Sequence, residues 1–131
     1  MKITRINHMA YNVAGKVAEA REFYTKLLGI PEVPISFPGR EPVFGSAMGL
    51  WVEHAGVQMH LIGVEKKGEL REPVNTHVSW YVADLDEAIA EIGGAGIEMR
   101  DMTIGSVRIV WIADPTGNTI ELQQDPAHAS A

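Results

Sequence analysis

The sequence predicts an α+β domain made of two tandem βαβββ modules, at about residues 1–65 and 73–125 of a single 131-residue domain. Three observations carry that prediction. Apolar spacing switches between period two and period three-to-four in the same order twice along the chain. Turn and cap residues mark most of the switches. The two halves also overlay at equivalent positions, as a tandem repeat should.

Taken in order, residues 3–13 alternate as a strand, with Ile6, His8, Ala10 and Asn12 on one face and Met9, Tyr11 and Val13 on the other. A helix is expected at about 16–28, where Val17, Ala20, Phe23, Tyr24, Leu27 and Leu28 form one stripe. Gly29 caps it and Pro31 prevents its continuation. Four prolines and Gly39 within 31–42 predict a short edge strand and a loop. Strands follow at about 43–53 and 57–64, joined by a turn at His54-Ala55-Gly56. After the charged connector Glu65–Glu72 the pattern restarts. A strand is expected over 75–83, with Val78, Trp80 and Val82 opposite His77, Ser79 and Tyr81. Asp84 and Glu87 read as a capping box for a helix at about 85–95, ended by Gly93, Gly94 and Gly96. Strands close the chain at about 97–103, 106–113 and 119–124, with a type I turn at Asp114-Pro115-Thr116-Gly117.

The overlay is specific. Asn7-His8 falls on Thr76-His77, and Val13-Ala14 on Val82-Ala83, both 69 residues apart. Gly56–Leu61 falls on Gly117–Leu122, 61 residues apart, because the second half has a shorter middle loop.

Composition narrows the function classes. With 46% hydrophobic and 21% charged residues, the chain reads as a globular domain rather than a disordered, collagenous or coiled-coil one. A net charge of −6 without a basic stripe argues against nucleic acid and anionic membranes as partners. There is no cysteine, which removes disulfides and thiolate chemistry and fits a cytoplasmic location. No apolar run approaches the ~18 residues of a membrane span, so a soluble domain is expected.

Period-two geometry puts Met9, Tyr11 and Val13 under one helix, and Val78, Trp80 and Val82 under the other. The opposite face of the first strands carries His8 and His77. In the last strand of each half, Met59/Leu61 and Ile120/Leu122 take the apolar face, leaving His60 and Glu121 on the other. A lone strand histidine is more often structural than a ligand. Here, four ligand-type residues fall at two repeat-equivalent pairs on one face. Three imidazoles and a carboxylate suit one divalent ion of the Zn, Ni, Co, Mn or Fe type. His54 in a turn and His128 in the tail are expected to be solvated.

These residues resemble the vicinal oxygen chelate superfamily, the glyoxalase/bleomycin resistance/dioxygenase group, over about residues 3–124. The resemblance lies in Asn7-His8-Met9-Ala10, Phe23–Gly29, His77-Val78-Ser79-Trp80 and Asp114–Leu122, the last being the most specific. It implies βαβββ modules curled into an open cup (a glyoxalase-like fold) around one metal held by His8, His60, His77 and Glu121. It also implies a homodimer with shared sites, in which His8 and His60 work with the partner's His77 and the partner's Glu121. The implied chemistry is capture of a small-molecule substrate through two neighbouring oxygens, as in a glyoxalase I-like lyase or isomerase, with Glu121 as ligand and general base. Glyoxalase I typically has glutamate where this chain has His60, which weakens that assignment. An extradiol-type dioxygenase using His8, His77 and Glu121 is the alternative. A non-catalytic antibiotic-binding protein of the bleomycin-resistance type, stacking on Trp51, Trp80 or Trp111, is another. Trp80 is expected in the core and Trp111 is weighted towards it. Arg5, Arg108 and Gln58 are candidates for an anion contact, with solvated surface the simpler expectation. The side of the sheet taken by Glu53 stays open.

Overall fold

Strand–helix–strand–strand–strand occurs twice along the chain, as the periodicity predicts. The first set is β1 (Ile3–Asn12), α1 (Val17–Arg21), β2 (Glu32–Val33), β3 (Gly49–His54) and β4 (Val57–Ile62). The second is β5 (His77–Val82), α2 (Leu85–Gly94), β6 (Arg100–Ile104), β7 (Val107–Ala113) and β8 (Thr119–Gln124), closed by a 3-10 turn at Pro126–His128. The computed structural model describes residues 1–35, 44–45, 49–65, 71–115 and 117–128. The 36–43 and 46–48 portions of the expected loop and strand, 66–70 of the connector, and Thr116 of the turn lie outside the described residues.

All eight strands form one mixed, curled sheet in the order β2-β3-β4-β1-β5-β8-β7-β6. Its centre is the antiparallel pair β1–β5, where the two modules meet. Each first strand pairs in parallel with the last strand of its own module, β1 with β4 and β5 with β8. Chemistry-bearing residues therefore sit on the four central strands, where both edges of each strand are hydrogen-bonded.

Each module has its own apolar cluster under its helix. Val17 and Ala20 of α1 pack with Leu50, Val52 and Leu61. Leu85, Ala88 and Ile92 of α2 pack with Val82, Val110 and Leu122, and Trp80 joins this cluster as expected. Asp84 caps α2, its side chain accepting from the Glu87 backbone N–H at 3.0 Å. That helix runs through Gly93 and Gly94, and Gly96, at φ +71°, turns the chain out of it. The Ile97 N–H then bonds back to the Ile92 carbonyl, which delays β6 to Arg100 instead of the expected 97.

Two departures from simple periodicity matter. The first helix is α only to Arg21 and continues as a π-helical turn, Glu22–Leu27. The Thr25 hydroxyl donates to the Arg21 carbonyl at 2.6 Å, and the Leu28 N–H reaches the Phe23 carbonyl five residues back. The wider turn breaks the apolar stripe, so Val17 and Ala20 are buried while Phe23, Leu27 and Leu28 are exposed.

The second departure is in β1. Its pairing with β5 skips Thr4 and Asn7: Ile6 pairs with Trp80 and His8 with the next residue, Ser79. Such bulges reset the alternation. Ile6 therefore stands opposite Trp80 on the helix side rather than sharing a face with His8. Tyr11 also departs from expectation, being exposed rather than packed beneath α1. Among the described residues, no helix is long and apolar enough to cross a membrane.

Candidate metal centre

Strand register assembles the site. His8 lies directly across from Ser79, and Ser79 directly across from Glu121, giving one row over β1, β5 and β8. The next row of the same face runs Trp51, His60, Ala10, His77 over β3, β4, β1 and β5. These rows floor a cavity of about 420 Å³ on the face away from the helices, lined by all four candidate ligands.

Ligand-type atoms of His8, His77 and Glu121 lie within 4.8 Å of one another, and all three residues are buried. The Nε2 of His8 is 3.7 Å from Glu121 Oε2, and the Nε2 of His77 is 3.8 Å from Oε1. Three tests of fit to a divalent ion succeed. The Nδ1 of His77 lies 2.6 Å from the Asn75 carbonyl. A proton donated there leaves a lone pair on Nε2, the tautomer a metal-binding histidine uses. That Nε2 is buried and has no hydrogen-bond partner. Glu121, a buried carboxylate that is costly without a cation, is aimed by the Ser79 hydroxyl and by Gln123 Nε2 at 2.8 Å.

Burial sets the protonation states. It pulls His8 down to about 3, helped by the like charges His77 and His60 would carry, and His60 down to about 4, helped by His77. His77 is lowered by the same desolvation, partly opposed by its bond to Asn75. All three imidazoles are thus neutral near pH 7, as ligation requires. Burial raises the Glu121 carboxyl, while the bonds from Ser79 and Gln123 pull it back.

His60 lines the same cavity but stands outside the three-residue cluster. Its ring stacks on Trp51, with centroids 4.3 Å apart and planes 5° from parallel. Trp51 also meets His8 edge-on at 4.8 Å. The structure therefore brings three of the four candidates together and leaves the fourth against a tryptophan. The three meet within one chain, through the β1–β5 pairing.

Trp111 lines the cavity, edge-on to His77 at 4.8 Å, rather than joining the core beneath α2. It pairs directly with Glu121 across β7–β8, as Trp51 pairs with His60. Its buried Nε1 has no hydrogen-bond partner. Gln58 lines the cavity and donates to Glu53 Oε1 at 3.1 Å, and Glu53 alternates with Trp51 on β3, which puts it on the cup face. Arg5 is engaged by Asp125 at 3.1 Å and lies over the Tyr81 ring, and Arg108 pairs with Asp101 and Asp86. His54 is exposed, and His128 is exposed and bonded to Asp125.

Sequence reasoning did not single out Asn7, Ser79 or Gln123 as site residues. Ser79 was findable, since it shares the His77 face two residues on. Asn7 was not, because no glycine or proline marks the bulge.

No curated protein sequence matches the chain. Its fold is that of solved structures under 25% identical. One is a hypothetical protein of Bacillus halodurans C-125, at TM-score 0.65 and 13% identity over 97% of this chain and 98% of that one. Another is a glyoxalase/bleomycin resistance protein/dioxygenase superfamily member of Vibrio splendidus 12B01, at 0.61 and 14% over 95% and 99%. A third is the 2,3-dioxygenase LapB of Pseudomonas sp. KL28, at 0.59 and 17%, matching 97% of this chain but only 46% of its own. The family pattern itself matches residues 5–122. The chain belongs to the Glyoxalase/Bleomycin resistance protein/Dioxygenase superfamily.

Proposed function

We propose that the protein is a metal-dependent enzyme that takes a small substrate through two neighbouring oxygens, and that its reaction is extradiol-type cleavage of an aromatic ring. The observation that carries this reading is the separation of the candidates: His8, His77 and Glu121 cluster within 4.8 Å while His60 stands apart. Two histidines and one carboxylate on one side leave positions open for a chelating substrate and oxygen, the pattern of non-haem iron(II) oxygenases. When bound, such an ion supplies the positive charge that favours ionised substrate oxygens. His8 and His77 present neutral nitrogens, and Ser79 and Gln123 hold the Glu121 carboxylate in place. His60, neutral and without a hydrogen-bond partner among the described residues, can accept a proton from a substrate hydroxyl at a ring nitrogen. Trp51, Trp111, Ile104 and Ile109 give the cup flat, apolar walls that suit an aromatic ring and exclude water. The fold likeness to a 2,3-dioxygenase supports the same reading.

The second reading, glyoxalase I-like isomerisation, takes His60 as a fourth ligand and Glu121 as the base. It is favoured by His60 lining the same cavity as the other three candidates. Because residues of both modules line one cavity, we read residues 1–131 as one functional unit, with a homodimer as its proposed assembly.

The test is reconstitution with iron(II) without oxygen, followed by catechol and oxygen, watching for the coloured ring-cleavage product and oxygen uptake. Less than about 0.1 metal per chain would sink the metalloenzyme reading in favour of a metal-free binder. Metal binding with no ring cleavage, but turnover of the methylglyoxal–glutathione hemithioacetal, would transfer the assignment to the second reading.

A further inference from the structure

The bulge at Asn7 has an effect the metal cluster does not require. His77 reaches that cluster from a first strand whose pairing with β8 runs without a break, Ser79 across from Glu121. His8 reaches it from β1, where Asn7 is skipped between the pairs Ile6–Trp80 and His8–Ser79. A regular strand would turn Asn7 to the face opposite His8. With the bulge, both line the cavity, side by side.

The repeat sharpens the contrast. The residue equivalent to Asn7 is Thr76, which does not line the cavity; its hydroxyl accepts a bond from the Asn12 backbone N–H at 3.3 Å and so helps join the modules. Asn7 has no such duty, since its carboxamide makes no hydrogen bond to another described residue. It is half-buried in the cup, uncharged, and carries two donors and one acceptor.

We propose that Asn7 is a substrate-binding residue, its bulge-delivered carboxamide hydrogen-bonding a hydroxyl or carbonyl oxygen of a ligand chelated beside His8. This rests on the vicinal-oxygen reading of the cup. A neutral amide there selects ligands that present a polar group next to the chelated pair. The amide N–H donors meet an ionised substrate oxygen, and the amide oxygen accepts from a substrate hydroxyl. The bond fixes the orientation of the ring without adding charge to the site.

The experiment loads the protein with zinc(II), which is redox-inert, and measures zinc and catechol affinity by calorimetry for wild type, Asn7→Ala, Asn7→Asp and Thr76→Ala. Asn7→Ala is expected to weaken catechol about five- to tenfold, as loss of one hydrogen bond should, while zinc affinity stays within about twofold. Asn7→Asp keeps the shape but loses the donors, and weakens catechol at least as much. Thr76→Ala leaves catechol affinity unchanged. Unaltered catechol affinity in Asn7→Ala overturns the assignment. So does a parallel fall in zinc and catechol affinity, which would mark Asn7 as a shaper of the bulge alone. If zinc-loaded wild type binds no catechol, the vicinal-oxygen reading fails before any variant is made, and the Asn7 role falls with it.

Discussion

His60 and Glu121 occupy equivalent places in the two modules, each on the last strand, each two strands away from a histidine in its own row. Between Glu121 and His8 stands Ser79; between His60 and His77 stands Ala10. These two intervening residues are themselves repeat-equivalent, 69 positions apart. The Ser79 hydroxyl donates to the Glu121 carboxylate, whereas a methyl group offers His60 nothing. Glu121 is 3% exposed and lies between two histidines, whereas His60 stacks on Trp51. A duplicated fold supplies duplicated positions, and the side chains around each copy differ: Ser79 and Gln123 donate to Glu121, while His60 lies against Trp51.

The largest effect that could break this comparison is on metal affinity. His8→Ala and His77→Ala should each cost at least about hundredfold, and His60→Ala less than about threefold, measured by competition with a chromogenic chelator. A hundredfold loss in His60→Ala would restore a four-ligand site. Next come the two cores, one under each helix. Leu61 and Leu122 are repeat-equivalent and fully buried, so each Leu→Ala should lose about 2–5 kcal/mol in urea unfolding. A difference beyond that range would show that one module carries the other.

Ser79→Ala tests the hydroxyl itself and should lower metal affinity about tenfold, the scale of an outer-shell partner. Its mirror, Ala10→Ser, should leave affinity within about threefold, since no carboxylate stands opposite. The smallest effect concerns closure of the second module. Asp125 is matched by Val64 in the first module and ties β8 to β1 through Arg5 and Thr4. The Arg5 guanidinium and the Thr4 hydroxyl hold its carboxyl well below the usual carboxylate range. A depressed carboxyl stabilises above its unfolded pKa of about 3.9, and that contribution fades as pH falls below it. Between pH 5 and pH 2.5, wild type should therefore lose more stability than Asp125→Asn, by a margin kept small by the exposure of Arg5. Equal losses would remove the latch.

Much of this fold was legible because its elements obey local rules. The β8 boundaries, the α2 cap at Asp84 and the two-residue turn at Ala55-Gly56, both at positive φ, follow from period and turn chemistry. The common face of His8, His60, His77 and Glu121 was also readable, because it needs only strand parity. Three features were not. The π-helical turn at Glu22–Leu27 depends on a Thr25 hydroxyl choosing a backbone carbonyl, a choice the apolar spacing does not record. The place of Trp111 depends on which face β7 offers across from Glu121. The bulge at Asn7 depends on β1 fitting two partners at once, β4 in parallel and β5 antiparallel, with different registers.

Local pattern in the chain was enough for the strand–helix–strand–strand–strand order in each half and for the side of the sheet that bears imidazole and carboxylate. Those are properties of neighbours along the chain, set by side-chain period and backbone preference. Tertiary packing settled the rest: β1 pairs with β5, the Ser79 hydroxyl donates to Glu121 beside the two histidines, and Asn7 lines the cup. Register between distant strands is fixed by packing both faces of the sheet together, and no local stretch of residues carries that information.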